Sequence, residues 1–595
     1  MADDIWPNLV TMFFRQADQF GERPLLWHKR KGRYAPLTWR EVAVQVCMLA
    51  RGLRSLGAIP GDRIALLSEN RPAWLVADLA IMATGAVTVP AYTTNTEADH
   101  LHILDDSGAS VVIVSTRKLA QRVLPAASRC PNIRFVIAID ELGLQPRPGF
   151  EVLTWREVMA RGEHDHANIR AEAAGIGWTA TACIIYTSGT GGAPKGVMLH
   201  HGAMLSNIAG AMDVLGELGL GDEAFLSFLP LSHAYEHTVG QFLPIALGSE
   251  IYYAESIDRV AANLREARPT ILVSVPRFYE VLHQRILHGI RQEGRLRQRL
   301  FLAALELGRR RQAHLKRFGM GARIVDFFLE RLVRDKVRER LGGRLKAMVS
   351  GGAPLNPDVA LFFRALGLPL FQGYGQTEAG PLISVNRPCR PKLDTVGPPV
   401  KGAEVRIAED GEILVRGELV MQGYWRNAAA TRRVIRDGWL HTGDVGKIDV
   451  DGDIRITDRK KDLIVNSGGD NLSPARIEGL LILRPEIAQA MVWGDRRPHL
   501  VALLVPNPEW VKSWAETADK PADMATLAKD AEFLRTLGDA VDNVNRGLST
   551  VERIRRFVVA TEPFTIDNEQ MTPTMKIRRH VIAEKYGSML DALYE

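Results

Sequence analysis

Stretches with helical apolar spacing alternate with short, continuously apolar runs through the first half of the chain, and this alternation limits the fold more than any other feature. "TWREVAVQVCMLARGLRSLG" has the spacing of a helix with one buried face, and "DRIALLSEN" reads as a strand buried on both faces. The cycle repeats in "PAWLVADLAIMATG" and "AVTVPAY", then in "EADHLHILDDSGAS" and "VVIVS". Helix–strand alternation with such strands predicts an α/β fold, with helices layered over mainly parallel sheets. At 595 residues the chain exceeds what one core can organise, so two or more domains are expected.

The texture changes twice. Residues 283–345 form long arginine-rich helical patterns, such as "RQEGRLRQRLFLAALELGRRRQAHLKRF", and are predicted to be a helical insertion. Solvated helix faces are the plain reading of it; a basic surface for an anionic membrane or a partner is the other. After Val396 the chain becomes glycine-rich and strand-like, with hairpin turns predicted at Asp410–Gly411 and Asp451–Gly452. The charged "TDRKKD" at 457–462 reads as an exposed joint before a smaller α/β unit.

Composition excludes several classes. A net charge of +6 over this length gives no general argument for nucleic acid. The four cysteines, Cys47, Cys130, Cys183 and Cys389, lack metal or redox spacing, which suggests a reducing compartment. "MADDIWPNLVTMFF" has no basic stretch leading into an apolar core, and no apolar run is long enough to span a bilayer. A cytoplasmic location is expected, with peripheral contact at the inner membrane surface left open. No G-x-S-x-G elbow supports a serine hydrolase.

Three loops carry the chemistry. "YTSGTGGAPKG" (186–196) concentrates glycines, hydroxyls and Lys195, as a phosphate cradle would. It is no Walker loop, because Gly196 follows Lys195 where that loop needs Ser or Thr. "VSGGAPLNP" and "FQGYGQTEAG" each follow an apolar run, where open α/β sheets bind ligands. "GYGQTE" offers a ring face, a hydroxyl and the Glu378 carboxylate, which suits a nucleotide with Mg²⁺. "GWLHTGDVG" offers Asp444 in a glycine turn, placed to accept hydrogen bonds from ribose hydroxyls.

Together "YTSGTGGAPKG", "GYGQTE", "GWLHTGD", "DRKKDLIVNSGGDNLSP" and "TPTMKIRR" resemble, in order and spacing, the motifs of the adenylate-forming (AMP-binding) superfamily. The resemblance covers nearly the whole chain. It implies a large N-terminal ATP- and acid-binding domain at 1–458, a hinge at 459–461 that includes Lys461, and a mobile C-terminal domain at 462–595. It implies that Thr187, Ser188, Gly189, Thr190, Gly191, Gly192 and Lys195 hold the ATP phosphates; Gly191 stands where the family's loop has a hydroxyl residue. Gly352, Ala353 and Pro354 would line the adenine, with Tyr374 stacked on it and Gly375 beside it. Thr377 would touch the α-phosphate, Glu378 hold Mg²⁺, and Asp444 and Arg459 grip the ribose. Lys576 would be the adenylation lysine, while Gly468 and Gly469 would let the pantetheine of coenzyme A pass.

"LPLSHAYEHTVGQFLPIALGSEIYYAES" and "SVPRFYE" resemble the acid-side motifs of long-chain fatty acyl-CoA synthetases. This implies an acid site around His233, Tyr235 and Gly373, and an enzyme that joins a fatty acid to CoA through an acyl-adenylate, releasing pyrophosphate and AMP. "GQFLPIALG" reads as core before it reads as an acyl tunnel. Two alternatives stand beside the main reading: a ligase that loads an acyl carrier protein, and a non-catalytic acyl or nucleotide sensor on the same fold.

Overall fold

Alternate residues of the central strands enter different cores, which is why these strands lack a polar face. Ile64 and Leu66 contribute to one apolar cluster, while Ala65 and Leu67 between them contribute to another. Phe225 and Leu226 divide in the same way, as do Ile271 and Leu272. This period of two is the mark of sheets covered by helices on both faces.

The computed structural model describes residues 6–143, 149–163, 167–187, 193–313, 320–460, 462–468, 470–572 and 576–595. Among them, two eight-stranded sheets organise a large N-terminal domain. In one, Leu370–Tyr374, Ala347–Ser350, Ile271–Ser274, Ala224–Ser227, Glu250–Tyr253 and Pro24–Arg30 run parallel, with an antiparallel strand at each edge. The other has a parallel centre, including Arg63–Leu67 and Val87–Pro90, and continues into the hairpin Thr181–Thr187 with Lys195–His200. The helices Trp39–Ser55, Pro72–Ala83 and His201–Gly216 fill the space between the sheets, around buried Phe13, Trp39, Trp74 and Phe242. Thr38 opens the first of these helices with a capping box: Thr38 accepts from the Glu41 N–H, and the Glu41 carboxylate accepts from the Thr38 N–H.

The predicted hairpins form. Ile407 faces Ile413 across Asp410–Gly411, and Ile448 faces Ile454 across Asp451–Gly452. Helix begins before the predicted insertion, at Pro276, because that proline suits a first helical position, with Val275 as the single residue between it and the strand Ile271–Ser274. In the C-terminal domain the strands Ile487–Trp493, Leu500–Pro506 and Ile554–Val559 form one sheet. Among the described residues no helix is long and apolar enough to cross a membrane.

Candidate active site

Two neighbouring parallel strands deliver two of the predicted loops at the same edge of their sheet. Ala347–Ser350 leads into Gly351, Gly352, Ala353 and Pro354, and Leu370–Tyr374 leads into a short 3₁₀ turn at Thr377–Ala379. "FQGY" is therefore strand, not loop as the sequence suggests, and the turn starts at Gly375. A side chain there has no room, since a Cβ on Gly375 would lie 1.7 Å from the Pro381 carbonyl oxygen. Gly352 has φ +85°, a backbone that L side chains rarely adopt.

Asp444 lies in the strand Trp439–Ile448, which corrects the expected glycine turn. The turn-like glycine is real: Gly443 has φ +74° in a bulge where the pairing with Glu412–Arg416 slips. This bulge aims buried Asp444 at the loops. Its Oδ2 accepts from the Tyr374 hydroxyl at 2.8 Å, and its Oδ1 accepts from Arg459 Nε at 2.8 Å. Burial and this carboxylate hold the Tyr374 hydroxyl well above its ordinary pKa, so it stays a donor. Even with both oxygens engaged, a carboxylate keeps lone pairs for further donors.

The hairpin registers Thr187 opposite Lys195. Ser188, Gly189, Thr190, Gly191 and Gly192 lie outside the described residues. Lys195 Nζ stands 5.0 Å over the Tyr424 ring, and the Tyr424 hydroxyl donates to Glu378 Oε1 at 2.8 Å. Three distant segments thus meet. Tyr424 joins the candidate site, and sequence reasoning missed it because 46 residues separate it from Glu378 and no periodicity links them.

Lys576 arrives from the C-terminal domain. Its carbonyl accepts from the Thr572 N–H, and its own N–H donates to Thr572 Oγ1. The side chain reaches water, yet protein surrounds it closely enough to strip part of its hydration. That crowding, together with nearby Arg459, pulls the ammonium down to about 8, against the opposing pull of Asp444, Asp462 and Glu378. His233 is held near 4 by burial and by the Lys576 charge, so its imidazole is neutral. Gly468 lies in a turn whose N–H donates to Asn466 Oδ1; Lys461 and Gly469 lie outside the described residues.

Around the residues expected to border the acid, Tyr235, Val239, Leu243, Val349, Phe371 and Leu382 line an apolar cavity of about 40 Å³. The Tyr235 hydroxyl donates to the Val349 carbonyl at 3.3 Å. Gly373 leaves space beside it, with a Cβ there meeting Leu382 and Val385 only at 3.6 Å or beyond. Tyr235 leads into a buried π-helix, Glu236–Phe242, from "EHTVGQF", so this segment is both core and cavity wall. Behind the wall lies a polar knot: Ser227 donates to Glu236 at 2.6 Å, and His237 meets Asp78 at 2.7 Å. Burial pushes the Glu236 carboxyl up to about 8.

The AMP-binding enzyme family matches residues 13–425, and the AMP-binding enzyme C-terminal domain matches residues 461–595. The long-chain-fatty-acid–CoA ligase FadD15 of Mycobacterium tuberculosis is 36% identical over 99% of this chain and 97% of its own. The peroxisomal long chain acyl-CoA synthetase 7 of Arabidopsis thaliana is 30% identical over 95% of this chain and 82% of its own. In fold, the adenylation domain of a carboxylate reductase from Mycobacterium chelonae superposes with a TM-score of 0.77 at 22% identity, over 100% of this chain and 92% of that one. A match over this length leaves one assignment: the chain belongs to the AMP-binding enzyme family.

Proposed function

We propose that this protein joins a fatty acid, long-chain by preference, to coenzyme A through an acyl-adenylate. Full-length identity to named long-chain fatty acid–CoA ligases supports the reaction class. ATP and CoA are the co-substrates of such a ligase. The observation that carries the mechanism is the meeting of distant segments in one place: Asp444 holds both Tyr374 and Arg459 by hydrogen bonds, and Tyr424 ties Glu378 to the ring that lies beneath Lys195.

In the first step a carboxylate oxygen attacks the α-phosphorus of ATP. The new O–P bond forms as the α–β phosphoanhydride bond breaks and pyrophosphate leaves. Lys576 stabilises the charge that develops at the α-phosphate, with Thr377 as a further donor. Thr187, Ser188, Thr190 and Lys195, with the backbone of Gly189, Gly191 and Gly192, hold the departing phosphates. Tyr374, Gly375, Gly352, Ala353 and Pro354 surround the adenine, while Asp444 and Arg459 take the ribose. Glu378 fits a hard divalent cation: its Oε1 is oriented by Tyr424, and it forms no ion pair among the described residues. Mg²⁺ bound there would neutralise phosphate charge.

In the second step the CoA thiol attacks the acyl carbonyl carbon, AMP leaves with the C–O electron pair, and the thiol proton passes to solvent. We assign residues 1–458 to a fixed domain, 459–461 to a hinge containing Lys461, and 462–595 to a domain that turns between steps. Gly468 and Gly469 then admit pantetheine. His233, Tyr235 and Gly373 border the acid, whose tail enters the apolar cavity as Val239 and Leu243 part. A substrate that partitions into bilayers favours peripheral contact at a membrane surface. Carrier-protein transfer is the less favoured acceptor reaction, since the full-length relatives carry CoA ligase names.

A panel of saturated fatty acids tests the reading, with AMP and thioester measured after addition of ATP and either CoA or a holo carrier protein. Thioester with CoA, strongest for long chains, is the expected result. Pyrophosphate release with acyl transfer only to the carrier would overturn the CoA assignment, and no release with any acid would overturn the ligase assignment.

A further inference from the structure

Among the described residues sixteen large apolar side chains are exposed, and seven of them lie between Leu296 and Leu332. Five of them belong to one continuous helical stretch, Met320–Leu329 followed by the π-helical Glu330–Arg334: Ile324 is 57% exposed, Val325 53%, Phe327 61%, Phe328 57% and Leu332 49%. Their spacing places Ile324, Phe328 and Leu332 in one row, with Val325 and Phe327 flanking it. The opposite face, Leu329 and Val333, is buried in the core. Scattered exposed apolar residues need no explanation, but two adjacent phenylalanines within a five-residue outward face do.

The charges of this stretch are sorted as well. Asp326 and Glu330 turn toward nearly buried Arg334, at 2.7 and 2.8 Å. Arg323 and Arg331 are exposed, and among the described residues neither has a carboxylate partner. Residues 283–345 contain seventeen arginines and lysines against six carboxylates, whereas the whole chain is only +6, so the remaining residues are net negative. An apolar face set in a strongly basic surround complements an anionic bilayer, where aromatic side chains enter the headgroup boundary and arginines meet lipid phosphates. A second copy of this chain would bring the same positive charge to the same face.

We propose that the face formed by Ile324, Val325, Phe327, Phe328 and Leu332, with Arg323 and Arg331, docks on an anionic phospholipid bilayer. Its purpose rests on the fatty-acid reading above. The buried side of this stretch, Leu329 and Val333, shares one apolar cluster with Tyr279, whose hydroxyl donates to the Val349 carbonyl, the cavity-wall oxygen that also accepts from Tyr235.

The test is flotation of the full chain with vesicles of phosphatidylcholine alone or mixed with phosphatidylglycerol, at low and high salt. Light scattering and thioester formation from a short, water-soluble acid are measured in parallel. The intact protein should float with anionic vesicles about tenfold more than with neutral ones, and lose this at high salt. Phe327→Glu with Phe328→Glu, and separately Arg323→Glu with Arg331→Glu, should each lower flotation about tenfold or more. Val450→Glu, which alters an exposed apolar residue elsewhere, should not. Short-acid activity retained in every variant shows intact folding. Unchanged flotation of both double variants, or no flotation of the intact chain, would overturn the proposal. So would a dimer that the phenylalanine changes dissociate without any vesicle binding. Vesicle binding without activity on any acid would instead sink the ligase reading and leave the docking face standing.

Discussion

Tyr424 donates its hydroxyl to Glu378 Oε1 at 2.8 Å while its ring lies 5.0 Å beneath Lys195 Nζ. One aromatic side chain therefore spaces the cation assigned to the phosphates from the carboxylate assigned to the metal. Tyr424→Phe keeps the ring and removes the hydrogen bond, so pyrophosphate release should fall about tenfold, the scale of one charge-assisted bond. Glu378→Gln should fall about 100-fold or more. A Glu378→Gln enzyme with normal release at ordinary Mg²⁺ would remove that residue from the site.

Lys576 separates the two half-reactions. Lys576→Ala should abolish adenylate formation from ATP yet still convert supplied acyl-adenylate to acyl-CoA, and Gly469→Trp should do the reverse. Equal damage to both steps by Lys576→Ala would end the domain-alternation reading. The cation is the working form, and its pKa in the free enzyme is depressed to about 8. Adenylation measured as kcat/KM should therefore decline as pH rises through about 8, where an unperturbed lysine would hold its charge. A flat profile well above that pH would show that this ammonium is not needed.

Glu236 links pH to stability. Its carboxyl ordinarily titrates near 4.5 and is raised to about 8 by burial in the fold. The folded state thus holds a proton that the unfolded chain releases, so this group's contribution is complete below 4.5 and is lost as pH rises toward 8. Glu236→Gln keeps an acceptor for Ser227 without the ionisation. Its melting temperature should fall less than that of the parent across this window. Parallel curves would mean that Glu236 does not titrate there.

The cavity wall should set acid preference. Val239→Phe or Leu243→Phe adds bulk to a space of only about 40 Å³, so use of long acids should drop more than use of short ones. ATP affinity should be nearly unchanged. Equal losses for all acids would mark these residues as core alone.

By itself the sequence determined whatever depends on near neighbours. Apolar runs such as "IALL" specified strands buried on both faces, Asp410–Gly411 and Asp451–Gly452 specified hairpins, and Thr38 with Glu41 specified a helix start. Each is decided by backbone conformation or periodicity within a few residues. The family motifs named most of the candidate site because short loops keep their order along the chain. Tertiary structure alone decided that Asp444 sits on a bulged strand, since the bulge exists only against its partner Glu412–Arg416. It also decided that Tyr424 meets Glu378 and that Lys576 stands near Arg459, contacts that depend on chain topology. The outward face of Met320–Leu329 belongs to the same class: helical spacing predicts an apolar stripe, but only packing reveals which apolar residues the core leaves uncovered.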